Sequence, residues 1–445
     1  MKNVKKTILN TLLLGLIAVT LTSCASSMDY DAPLLLYSSI NPNEALIALT
    51  SNEETYLKND GPIIYGLNAG MVAHTTKNSI ESNSYFDLAE KYIAASYTKS
   101  ISKNVASYII SENTRDYDSP NYEDIYTNLF KSLNYYNMGN TEDAMVEIRR
   151  MNDKINYYQN ETPLREDDRV KYESFNYKTG TYPPLTNSGL AQYLSSLFSY
   201  EYGDENYFNV SLKKIDNALK TEREFYNQAN YKTLDTLLTL DNNKTIVSFL
   251  SFSGLSPQKV QTSSRGALLL DGYKDQDGYY HRAIYNDIVY SVPMVRPSQT
   301  EAVRVTIDDE KYLMEPFENI SNIAYSSMIK KSKVEYARAF IRILTREIGK
   351  STVTYNAEDD DEKEFASFFS FAVNVFTVVS ENADIRCSLF FPGVSWISCI
   401  EVEPGIHNIK VDYLDRKGRV IDTISYENYK VVRGKANLIE NVSPK

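Results

Sequence analysis

The sequence is poor in the residues that carry most enzyme chemistry. Of its 445 residues, three are histidine and three are cysteine. His74, His281 and His407 lie in three separate segments, and no HExxH pairing occurs. No serine or cysteine stands in a nucleophile-elbow pattern, and no glycine-rich phosphate loop precedes a helical stretch. The segment Asp275-Gln276-Asp277-Gly278 is half a calcium loop. It lacks a further ligand at the right spacing and the distal glutamate, so it reads as a hairpin turn. No metal site and no cofactor is therefore expected. Long apolar runs are missing too. Ile8–Leu21 and residues 365–380 both fall short of the roughly 20 residues that span a bilayer as a helix. Basic residues are outnumbered, 47 Lys and Arg against 58 Asp and Glu, for a net charge of −11. That balance excludes the broad basic footprint of a nucleic-acid binder.

What is present begins with a leader. Lys2, Lys5 and Lys6 precede the apolar run, which is the layout of a secretory signal over residues 1–23. Leu21-Thr22-Ser23-Cys24 resembles the bacterial lipobox. The resemblance implies cleavage before Cys24 and acylation of its thiol and new amino group. Each buried methylene contributes about 0.8 kcal/mol, so two or three acyl chains make a lasting anchor. Ala25 follows the cysteine where an aspartate would signal inner-membrane retention, so the resemblance implies an outer-membrane lipoprotein facing the periplasm. Residues 24–60 are expected to be a lipidated N-terminus and tether.

Residues 61–235 carry helical periodicity. In YEDIYTNLFKSLNYY, Ile125, Leu129, Leu133 and Tyr136 recur at helical spacing. Gly139-Asn140 breaks the pattern, and Thr141 with Glu142 and Asp143 behind it predicts an N-cap and acidic first turn. The next helix places Ala144, Ile148, Met151 and Ile155 on one stripe. Ser132-x2-Tyr135 and Ala144-x3-Ile148 match tetratricopeptide spacings, in which small residues let two helices cross closely. The layout recurs at 63–93, turning near Lys77-Asn78, and at 189–219, turning at Gly203-Asp204. Such hairpins, stacked, would offer a concave face for an extended peptide or helix.

From residue 236 the pattern becomes α+β. Residues 244–254, 265–273 and 274–295 read as strands, 333–348 and 365–380 as helices, and the end, from 385, as strands again. Cys387 and Cys399 flank a Pro-Gly sequence and form an even pair in an oxidising compartment. The sequence leaves open a disulfide or two free buried thiols.

Leader, lipobox, the helical half containing VEIRRMN at 146–152, and the C-terminal SENADIRCSLFFPGV and VEPGIHNIKV together resemble a bacterial family of conserved lipoproteins with tetratricopeptide repeats. The resemblance implies an architecture and a compartment. It implies no reaction.

The expected fold is thus α+β: tetratricopeptide-like helices over 61–235, then a mixed domain over 236–445 ending in strands. The expected function is a membrane-anchored scaffold that meets an envelope protein partner, in cell-wall or surface assembly. The alternative is a lipid-anchored enzyme or ligand-binding protein acting on wall material through a cleft in the α+β half. Two further sets of residues are candidates for binding. Arg338, Arg342 and Arg346 recur every fourth residue on one helix face, opposite an apolar face, as a basic strip or a solvated one. Glu147, Arg149 and Arg150 would clamp neighbouring repeats or face a ligand, with Arg149 spaced to pair with Asp153.

Overall fold

In the computed structural model, residues 30–100, 117–161, 185, 187–228, 230–240, 244–274, 280–329, 331–332, 335 and 383–445 are described. Ten α-helices fill the described N-terminal half: α1 (Asp31–Ser38), α2 (Pro42–Thr50), α3 (Glu53–Asn59), α4 (Gly61–Thr75), α5 (Ser79–Ser100), α6 (Asn121–Asn137), α7 (Thr141–Glu161), α8 (Gly189–Tyr202), α9 (Glu205–Thr221) and α10 (Lys232–Leu238). One turn geometry closes the pairs α1/α2, α4/α5, α6/α7 and α8/α9. Its central residue is left-handed: Ile40 and Lys77 at φ 63°, Gly139 at 75° and Gly203 at 83°. That residue donates its N–H three residues back, and the next residue donates five residues back, onto carbonyls of the ending helix. Carbonyls stranded at the helix end are satisfied in this way.

The residue after the left-handed one then caps the second helix. Asn78, Asn140 and Asp204 accept from the N–H of Glu81, Asp143 and Tyr207 at 3.4, 3.1 and 2.9 Å. The break points match those expected from sequence. The cap at the third turn is Asn140 instead of Thr141, because the left-handed Gly139 already reverses the chain and brings the Asn140 side chain over the helix end.

Within each of the three longer pairs the two helices differ in burial. The first helices are buried on every side: α4 over Ile63–His74, α6 over Tyr122–Asn134 and α8 over Gly189–Ser199. The second helices bury one stripe, on α7 comprising Ala144, Ile148, Met151 and Ile155 as the periodicity predicts. Small residues allow the close crossings. A Cβ on Gly66 would lie 2.6 Å from the Tyr85 carbonyl oxygen of the facing helix.

Sheets cover the other side of the first helices. Strands β1 (Ile246–Ser253), β6 (Glu315–Pro316), β7 (Val394–Glu401) and β10 (Ile439–Ser443) form a sheet in the order β10-β1-β7-β6. β10 runs parallel to β1, with Phe249 opposite Ile439, and β7 runs antiparallel, with Ser248 opposite Cys399. A second sheet, β5-β4-β8-β9, contains β4 (Ala302–Ile307), β5 (Glu310–Leu313), β8 (Gly405–Leu414) and β9 (Val420–Val431). Alternation along β1 links the layers. Ile246, Leu250 and Phe252 join the cluster made by the helices, whereas Val247 and Phe249 join Val303, Val305, Val411 and Tyr413 of the second sheet. β1 is therefore buried throughout, as a strand covered on both faces must be. Among the described residues β2 (Gln258–Lys274) and β3 (Tyr280–Met294) pair only with each other, and the Asp-Gly turn expected between them lies outside the described residues.

The α+β expectation holds at this level, with helices in the N-terminal half and sheets in the C-terminal half. Several finer expectations change. Residues 31–59 are not a tether: they form α1 to α3 and bury Tyr37, Leu49 and Tyr56 in the main cluster. The boundary at 235/236 falls within α10, and one continuous hydrophobic cluster runs from Tyr30 to Val442 across it. Residues 383–393 are irregular, not a strand, and strand pairing begins beyond them, at β7. The helix expected from 333 has an earlier helical segment over 320–329; most of 333–348 and all of 365–380 lie outside the described residues. The face of the first helices, expected to be open for a peptide, is filled by the chain itself. Phe130 of α6 packs on Phe252 of β1 and on Phe391, with ring centroids 5.4 and 5.6 Å away.

Candidate functional site

Glu147 of α7 faces α6, the first helix of its own pair. Its carboxylate accepts from Asn128 Nδ2 at 2.6 Å and Arg150 Nη1 at 2.9 Å, and lies 3.2 Å from Lys131 Nζ. Lys131 is the centre of this seam. Its side chain is 1% exposed, and its ammonium also meets Asp87 at 2.7 Å and Glu90 at 2.8 Å on α5. Lys154 continues the row, 2.8 Å from Glu90 and 2.7 Å from Asp124. Tyr158 Oη closes it on Asp124 at 2.6 Å. Four carboxylates and three cations from α5, α6 and α7 thus alternate in one network.

Electrostatics fits the geometry. Burial alone would raise the Glu90 carboxyl, but the Lys154 and Lys131 ammoniums hold it at about 2. Burial alone would likewise lower Lys131, and Glu90 with Asp87 and Glu147 lifts it above the ordinary lysine range. A buried ion stays charged only when so compensated. The seam holds α5, α6 and α7 in register, and at its rim Asp87 and Arg150 face solvent.

Of the sequence candidates, Glu147 and Arg150 belong to this seam. Arg149 is exposed; burial raises the Tyr207 hydroxyl of α9, and the Arg149 charge opposes that shift. The expected Arg149–Asp153 pair does not form among the described residues; Asp153 instead bears on Lys214 of α9. Cys24, Arg338, Arg342 and Arg346 lie outside the described residues. Cys387 and Cys399 are free and buried, so the bridge that the sequence left open is not made. Cys399 faces Ser248 Oγ at 4.0 Å across the central sheet.

Two further carboxylates converge with polar groups in the interior. Glu318 accepts from Tyr126 Oη at 2.6 Å, Ser188 Oγ at 2.8 Å, Tyr226 Oη at 2.8 Å and Leu190 N at 3.3 Å. Burial raises it, and these donors only partly counter the shift. Glu123 accepts from Tyr117 Oη, Ser119 Oγ and Ser388 N. Both are sealed from solvent. They knit helices to the irregular segments beside the sheet, and neither faces a surface where substrate could approach.

The wider seam escaped the sequence reading, yet its signal is there. Asp124, Asn128, Lys131 and Tyr135 succeed each other at helical spacing on one face of α6. Polar residues in the middle of a buried stripe require partners, and the partners lie on the adjacent helices. No family model, no curated protein and no solved structure matches the chain.

Proposed function

We propose that the chain is a lipid-anchored bacterial envelope protein, acylated at Cys24 on the outer membrane facing the periplasm, and that it acts as a binding scaffold. On this reading its helix pairs are degenerate tetratricopeptide-like repeats. The repeated left-handed turn with its Asn or Asp cap, and the small residues Gly66 and Ala144 at the crossings, support that kinship. The observation that carries the scaffold reading is the inversion of the array. Its inner helices are occupied by the chain's own sheet, which leaves the second helices facing outward. Along them Tyr92, Val146, Tyr157 and Val210 stand exposed between charged residues, the mixture of apolar anchors and polar rim that suits a protein interface.

The anchor is tested by fatty-acid labelling: Cys24→Ser should abolish labelling and leave the precursor uncleaved. The scaffold is tested by photo-crosslinking from positions 146 and 157 in cells. One adduct common to both positions, lost on Arg149→Glu with Arg150→Glu, is expected. Adducts that differ at random between positions and ignore the charge reversal would remove the proposal.

A further inference from the structure

The pair α1/α2 carries exposed apolar side chains that its fold does not use. Leu35 is 70% exposed, Ile47 57% and Ile40, at the turn between the helices, 38%. Ile40 adds a second anomaly. It is left-handed at φ 63°, at the turn position that Gly139 and Gly203 occupy elsewhere. Among the described non-glycine residues at positive φ it alone is β-branched; the others are Lys, Asp and Asn. A β-branched residue is strongly disfavoured there, and glycine would relieve the strain. An apolar side chain is thus held at a strained, solvent-facing tip.

The position of this tip along the chain indicates what meets it. Tyr30, just ahead of α1, is fixed in the body: its ring lies 4.8 Å from that of Tyr56 and its hydroxyl donates to Asp60 at 2.9 Å. Tyr30 is six positions beyond Cys24, which sets a reach of about 20 Å at full extension. The length of α1 is about 12 Å, so Leu35 and Ile40 stand within that reach of the acylated residue. From Ala25 to Leu57 there is no Lys or Arg, and Asp29, Asp31, Glu44, Glu53 and Glu54 are acidic. Attraction to anionic head groups is therefore excluded as the driving force, and burial of apolar side chains is left.

We infer that α1/α2 is a lipid-contacting tip, inserting Leu35, Ile40 and Ile47 into the interface of the bilayer that holds the acyl chains. This rests on acylation of Cys24. The tip then acts as a second attachment that fixes the orientation of the body, since a tethered group binds at high effective concentration.

The test uses the full acylated chain carrying Ile40→Cys. Cys24 is blocked by its lipid, and Cys387 and Cys399 are buried, so an environment-sensitive dye attaches at position 40. Val420→Cys, exposed on β9 of the outer sheet, is the control. In phosphatidylcholine vesicles, brominated lipid should quench the dye at 40 several-fold more than at 420. Leu35→Ser with Ile47→Ser should abolish the difference, and rising salt should not. Ile40→Gly should raise Tm by a few degrees through release of the strained φ. A chain that floats with vesicles yet is quenched equally at both positions overturns the inference while leaving the anchor standing. Failure to float removes the anchor and the inference together. A lower Tm for Ile40→Gly would mean the side chain serves the fold, and would also overturn it.

Discussion

His74 of α4 and Glu440 of β10 stand 366 positions apart in the chain and 3.2 Å apart in space, ring Nε2 to carboxylate Oε1. The other ring nitrogen faces Asn134 Oδ1 at 2.7 Å. Lys77, the left-handed residue of the α4/α5 turn, donates to the same carboxylate at 2.6 Å and to the Glu440 carbonyl at 3.0 Å. Through one carboxylate, the last strand of the central sheet is fastened to the first of the long helix pairs.

Glu440→Gln should therefore destabilise the protein. Removing one member of a buried pair leaves the others uncompensated; with Lys77 half in water, about 2–4 kcal/mol is expected. Burial would raise this carboxyl, but Lys77 and His74 outweigh it and hold it well below the usual glutamate range. A depressed carboxylate stabilises the fold above its unfolded pKa and loses that contribution as pH falls. Urea unfolding between about pH 6 and pH 3 should show a steep loss for the native protein below about 4.5, and a flatter profile for Glu440→Gln.

The repeated turn makes a signed set of predictions. Gly139 and Gly203 are left-handed and an added Cβ meets nothing within 4 Å. Alanine at either site should cost about 1 kcal/mol through φ alone. Lys77→Gly removes the same penalty, though it also removes the ammonium from Glu440, so its net effect should be a loss. Asn140→Ala should cost about 1 kcal/mol as a lost cap. Chemical denaturation of the four single variants checks the pattern of signs.

Lys131→Met should be among the most damaging changes on the helical side. It strips a buried cation from Asp87, Glu90 and Glu147 at once, at a cost of about 3–5 kcal/mol. It should also move Glu90 up from about 2 toward its ordinary value, because only Lys154 remains beside it. Glu90 stabilises the native state above its unfolded pKa and loses this as pH falls toward about 2, so the variant should lose less between these limits. Carboxyl NMR titration reads the shift directly.

How far the sequence foretold this depends on the range of the interaction. The breaks at Lys77-Asn78, Gly139-Asn140 and Gly203-Asp204, and the stripe Ala144, Ile148, Met151 and Ile155, are local patterns and were legible. Strand β10 was not. ENVS alternates no more clearly than a loop, and it becomes a strand only because β1 offers its open edge. Lys131 and Glu90 each look like surface residues alone. Their burial follows from how α5 and α6 pack, which periodicity does not encode. The inner face filled by β1 was hidden for the same reason, since nothing local says that two halves share one core.

The two thiols give a simple probe of that shared core. Burial pushes Cys387 to about 11 and Cys399 to about 12. Both should resist maleimide at neutral pH in the native protein, since the reactive thiolate is almost absent. They should react together as denaturant opens the fold. Labelling of Cys399 ahead of global unfolding would show that the central sheet separates from the helices first.

The parallel pairing of β10 with β1 carries a consequence for the order in which the protein can be made. A free-standing array of helix pairs can grow from its first member, each unit settling on the one before. Here α4, made early, cannot seat His74 until residue 440 has been synthesised. α6 and α8 keep an apolar side bare until β1 is covered on both faces. Such long sequence separations slow folding. The chain is therefore expected to complete its core late, once residue 440 has joined it, and not in stages during synthesis.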